Sequence, residues 1–64
     1  MSIGKNVRKY REESGLDQTE LAAKIGITQV MISHIETGRK IPSVAVLADI
    51  AKALNCTMDE LAAD

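Results

Sequence analysis

Sixty-four residues allow one small domain, read as residues 1–64, and leave no room for a second. Hydrophobic residues make up 45% of the chain, aromatics 2% (Tyr10) and charged residues 27%, a composition that fits a small aliphatic helical bundle. A net charge of −1 argues against holding nucleic acid by bulk electrostatics, and one cysteine (Cys56) with one histidine (His34) excludes an internal disulfide and a zinc site.

The first helix is expected near 3–14, where Ile3, Val7 and Tyr10 share a face, and Gly15 ends it. Asp17 caps a second near 18–25, with Glu20 at capping-box spacing and Leu16 stapled to Leu21. Leu21, Ala22 and Ile25 form its apolar face, and Gly26 stops it. Thr28 caps a third helix near 29–37, stapled through Ile27 and Ile32 and stopped by Gly38. Pro42 closes the longest loop, since the residue before a proline avoids the helical region. Ser43 then caps a fourth helix near 44–54, with Val44, Leu47, Ile50, Ala51 and Leu54 on its apolar face. Asn55 ends it, and Thr57, with Glu60 in capping-box spacing and Cys56 stapled to Leu61, opens a fifth near 58–63. Glycine and asparagine suit the stops because they enter the left-handed conformation at little cost. Cys56 reads as a small buried hydrophobe. No strand pattern or repeat competes, so the fold class is all-α, a compact five-helix domain.

A short turn carrying Gly26 between two short helices is the helix-turn-helix connection, though many bundles contain such corners. The third helix adds weight. At about 100° per residue, Gln29, Ser33, Thr37, Val30 and His34 fall within an arc of about 140°, while Met31, Ile35, Ile32 and Glu36 occupy the opposite side. The first arc carries no fixed charge, where an ordinary solvated face carries lysines and glutamates. Glutamine amides, hydroxyls, an imidazole and a β-branched methyl suit base edges in a major groove, and the helix N-terminus suits phosphate oxygens. Singly, each is an ordinary surface residue; five on one face point to a reader of DNA. Glu36 on the inward arc needs a partner, and Arg11, beside the apolar stripe of the first helix, is the best candidate. The alternative is two unrelated surface charges.

Charge is uneven along the chain. Through Lys40, seven basic residues (Lys5, Arg8, Lys9, Arg11, Lys24, Arg39, Lys40) face five acidic ones, whereas beyond it Lys52 stands against Asp49, Asp59, Glu60 and Asp64. One end can meet phosphates while the other turns away, the alternative being an ordinary solvated asymmetry with no bearing on function.

The stretches Gln18-Thr19-Glu20-Leu21-Ala22-Ala23-Lys24-Ile25-Gly26, Thr28-Gln29 and Ile32-Ser33-His34-Ile35-Glu36-Thr37-Gly38-Arg39-Lys40-Ile41-Pro42-Ser43 resemble the lambda-repressor/Cro-like, or xenobiotic-response-element, helix-turn-helix family. Arg11, Gly15 and Ile50-Ala51-Lys52-Ala53-Leu54 with Leu61 extend the resemblance over about Ile3 to Leu61. It implies a five-helix domain binding double-stranded, near-palindromic operators as a homodimer. Gln29, Val30, Ser33 and His34 match the base-reading positions. Gln18 matches a glutamine that contacts a phosphate and supports the first reading residue, and Thr37, Arg39 and Lys40 match the backbone-gripping end, with Thr28 assigned to the backbone as well. Arg11 and Glu36 match a buried ion pair. Val30 departs from the polar reader common at its position, and Met31, larger than usual, is placed at the rim of the interface. Without a long basic arm or a separate oligomerisation domain, dimerisation is assigned to the C-terminal helices, with Val46, Leu61, Ala62 and Ala63 as spare apolar surface.

The expected function is a transcriptional regulator, a repressor by family frequency, with no cofactor, no metal and no enzymatic activity. The competing expectation is an antitoxin or regulator whose main partner is another protein. No membrane-length apolar run and no signal-peptide pattern appear, and the unpaired thiol suits the cytoplasm.

Overall fold

The computed structural model describes residues 2–64, which form α1 (Ile3–Glu13), α2 (Gln18–Ile25), α3 (Gln29–Glu36), α4 (Val44–Ala53) and α5 (Met58–Ala62), with no strand among them. Four of the helices begin at a side-chain cap. Asp17, Thr28, Ser43 and Thr57 accept the backbone N–H of Glu20, Met31, Val46 and Glu60, each satisfying a donor that the first turn leaves unpaired. Both capping boxes are complete: Glu20 accepts the Asp17 N–H and Glu60 the Thr57 N–H, each at 2.9 Å.

The helices other than α2 stop one residue before the expected end. Ser14, Thr37 and Leu54 keep φ near −82°, −87° and −95°, but each serves as the cap of its helix. After α1 and α4 the chain closes in the same way. The Leu16 N–H reaches back to the Arg11 carbonyl at 3.2 Å and the Cys56 N–H to the Ala51 carbonyl at 2.9 Å, around Gly15 and Asn55 at positive φ. Gly26, at φ 76° and ψ 28°, turns the corner between α2 and α3, and the Ile27 N–H returns to Ala22 at 3.0 Å. A side chain there would have to adopt the left-handed region that L-residues avoid.

The core draws on every helix: Val7, Leu21, Ala22, Ile32, Ile35, Ile50, Ala51, Leu54 and Leu61 are buried. Two expectations are corrected by this packing. Leu61 has no exposed surface and belongs to the core, so it is not spare apolar area. Val44, assigned to the apolar face of α4, is 75% exposed. It is the first residue of its helix, at the edge of the arc that Leu47, Ile50, Ala51 and Leu54 define. Leu16, Ile27 and Cys56 are half-buried against the core.

Two contacts in α1 escape any periodicity. Asn6 Nδ2 donates to the carbonyls of Leu61 (2.9 Å) and Ala63 (2.6 Å), tying the end of five-residue α5 to α1. Gly4 lies against the end of α3 so closely that a Cβ there would sit 2.6 Å from the Glu36 carbonyl oxygen and closer still to that of Ile35. The absence of a side chain lets the first turn of α1 pack on the turn of α3 that carries Glu36.

Candidate nucleic-acid interface

Ile32 and Ile35 bury α3 on the core and so decide which of its faces turns outward. Gln29, Val30 (57% exposed) and Thr37 are exposed, while Ser33 and His34 are half-buried. Met31 is half-buried, one side packed against the core. Arg39 and Lys40 are exposed just past the helix, in a loop held by hydrogen bonds from the Gly38 N–H to Ile35 (3.2 Å) and the Lys40 N–H to His34 (3.1 Å).

Beneath this surface Arg11 and Glu36 form a two-pronged ion pair. Arg11 Nε donates to Glu36 Oε2 at 2.6 Å and Nη2 to Oε1 at 3.1 Å, with 10% and 3% of the two side chains exposed. Nη1 of Arg11 donates to the Leu16 carbonyl at 2.9 Å, so the guanidinium also fastens the α1–α2 loop. The hydrogen bond to Glu36 raises the guanidinium above its usual pKa, against the opposing effect of burial. Buried side-chain nitrogen and oxygen atoms among the described residues all have partners.

From Glu36 the hydrogen bonds continue outward. Gln18 Nε2 donates to Glu36 Oε1 at 3.0 Å, and Gln29 Nε2 donates to Gln18 Oε1 at 2.6 Å. The link from Gln18 to Glu36 was not legible from the sequence, because the two are eighteen positions apart and share no helix. Its signal was a glutamine at the first position of a helix whose cap was already supplied by Asp17.

The two threonines flanking α3 differ. Thr28 accepts the Met31 N–H through its hydroxyl oxygen at 3.2 Å, which leaves the hydroxyl proton to donate elsewhere. Thr37 donates its hydroxyl to the Ser33 carbonyl at 3.0 Å, so that side chain must rotate before it can donate to a phosphate. Among the described residues there is no cluster of metal-ligating side chains and no helix long and apolar enough to cross a membrane.

A helix-turn-helix whose outer helix shows uncharged hydrogen-bonding groups, braced from below by an ion pair, is the architecture of a DNA-reading regulatory domain. The helix-turn-helix family profile matches residues 7–61, and the chain belongs to the lambda-repressor/Cro-like helix-turn-helix family of transcriptional regulators. It is 37% identical over 59 residues to YazB, an HTH-type transcriptional regulator of Bacillus subtilis, covering 92% of this chain and 86% of that one. Its fold is similar to the P22 c2 repressor in complex with synthetic operator 9T (TM-score 0.89, 30% identity), covering 95% of this chain and 92% of the other. It is also similar to SinR, the master regulator for biofilm formation, in complex with DNA (TM-score 0.90, 31% identity), covering 95% and 98%.

Proposed function

We propose that this protein is a sequence-specific repressor of transcription that lays α3 in the major groove of a near-palindromic operator. The observation that carries this reading is the uncharged face of α3, with Gln29 exposed at its start and held by Gln18. Gln29, Val30, Ser33 and His34 read base edges, the Val30 methyls suiting a thymine methyl. Gln18, Thr28, Thr37, Arg39 and Lys40 hold the phosphate backbone. Arg11 and Glu36 brace α1 against α3, and no metal or cofactor takes part.

A net charge of −1 leaves one copy weakly bound, so two copies act together, with recognition helices about 34 Å apart on one face of the duplex. The contact between them falls to the C-terminal helices. With Leu61 in the core, the large apolar side chains left exposed there are Val44 on α4 and Met58 on α5. At about four phosphate contacts per copy, the logarithm of affinity falls with the logarithm of salt at a slope of about −7.

The test is selection from a randomised duplex pool at two salt concentrations, with the wild type and with Gln29→Ala. A short inverted repeat is expected, and Gln29→Ala should cost about 1–3 kcal/mol and relax one base pair in each half. Unchanged discrimination in the variant removes Gln29 from the reading set. A pool with nothing enriched at low salt turns the reading toward a protein partner.

A further inference from the structure

We propose that the buried Arg11–Glu36 pair decides which base Gln29 reads, by fixing the direction of two side-chain amides. This rests on the proposed function, in which Gln29 meets a base edge. The chain of constraint starts at the ion pair. A guanidinium has donors and no acceptor, so Glu36 beside Arg11 presents only acceptors to its other neighbour. Gln18 must therefore turn its NH2 toward Glu36, which leaves its carbonyl oxygen facing Gln29. Gln29 in turn must direct its NH2 at that oxygen.

What remains for the groove is then determined. Locked in this way, Gln29 shows one acceptor, its carbonyl oxygen, and one donor, its second N–H. That pattern is complementary to adenine, which offers the N6 donor and the N7 acceptor in the major groove. A flipped Gln29 shows its NH2 outward, two donors complementary to guanine N7 and O6. With the lock in place the flip sets two carbonyl oxygens against each other, at Gln18 and Gln29 or at Gln18 and Glu36. Glu36 thus acts as a positioning residue: it lies 3% exposed beneath the surface and sets adenine over guanine through Gln18, which stands between it and Gln29.

The test uses the full chain, with Gln18→Met and Glu36→Gln beside the wild type. Methionine keeps the length of the side chain and removes both hydrogen bonds. Glutamine at 36 keeps an acceptor for Arg11 but allows either amide direction. The first readout needs no DNA: the side-chain NH2 resonances of Gln29 in nitrogen-15 spectra. One proton of the pair should be shifted and slow to exchange with solvent in the wild type; Gln18→Met should return the pair to the behaviour of an exposed glutamine, and Glu36→Gln should move it toward that behaviour. The second readout is the ratio of affinities for duplexes with A·T or G·C at the base pair that Gln29→Ala relaxes. Because the lock amounts to a hydrogen bond ending on a charged group, that ratio should fall about tenfold in either variant. Ratios at other base pairs should hold. Removing the grip of Gln18 on a phosphate lowers both affinities alike and leaves their ratio untouched. Thermal unfolding identifies a variant that has simply lost its fold, and the other then carries the test.

An unchanged A-over-G ratio, or a Gln29 amide indifferent to both substitutions, overturns the proposal. If no duplex is bound by the wild type, the assignment to a base falls with the DNA reading, and the amide spectra still decide whether Glu36 orients Gln29.

Discussion

Arg11 and Glu36 are so far out of water that neither tolerates the loss of its partner. Arg11→Met leaves a carboxylate with 3% of its side chain exposed and no cation, and should cost about 3–5 kcal/mol in urea denaturation. For a chain of this size that approaches the whole stability. The double variant Arg11→Met/Glu36→Leu should recover much of the loss, because no buried charge is left without a partner. Glu60 behaves differently, being a surface group. Its carboxylate accepts the Thr57 N–H and hydroxyl, which lowers its pKa below the usual glutamate value, with a smaller contribution from the Tyr10 hydroxyl at 3.4 Å. A lowered folded-state pKa means stabilisation that is present above the unfolded value and is lost as pH falls through the folded one. Glu60→Gln keeps an acceptor for the cap but no charge. The gap in Tm between wild type and Glu60→Gln should therefore narrow as pH drops from 7 to below about 4. A gap constant over that range would show that the charge of Glu60 contributes nothing to the cap.

At the level of elements, punctuation was readable because it is local. Caps, boxes and left-handed stops each involve residues within about one turn, so Asp17 with Glu20 and Thr57 with Glu60 could be paired by spacing. Contacts between helices have no such signature. Gly4 is the example: alanine is intrinsically better than glycine inside a helix by about 1 kcal/mol, so local preference favours Gly4→Ala. The structure reverses that expectation, since the added methyl meets the backbone oxygens of Ile35 and Glu36, which cannot step aside as a flexible side chain would. Gly4→Ala should be net destabilising, by about 1–3 kcal/mol, and should disturb the Glu36 turn by chemical-shift mapping. A stabilised variant would mean that α1 slides away from α3 at little cost.

For the whole molecule, core and shared surface must be told apart. Leu61 is fully buried and Val44 is three-quarters exposed, so the two respond differently to substitution. Leu61→Ala should lower stability by about 2–5 kcal/mol at every protein concentration. Val44→Glu should leave Tm near that of the wild type while raising the concentration at which DNA is half-occupied, measured by titration of an operator duplex. Equal behaviour of the two variants would remove α4 from the proposed contact. Helix number and order, the caps, the turn at Gly26 and the outward face of α3 were all readable from residue types and spacing, because hydrogen-bonding caps and helical periodicity act over one or two turns. Three-dimensional packing settled the rest. It placed Leu61 inside and Val44 outside, bound Asn6 to the end of α5, and brought Gln18, Glu36 and Gln29 into one line of hydrogen bonds. Those outcomes depend on which side chains meet across helices distant in the chain, and burial then compels each polar group to find a partner there.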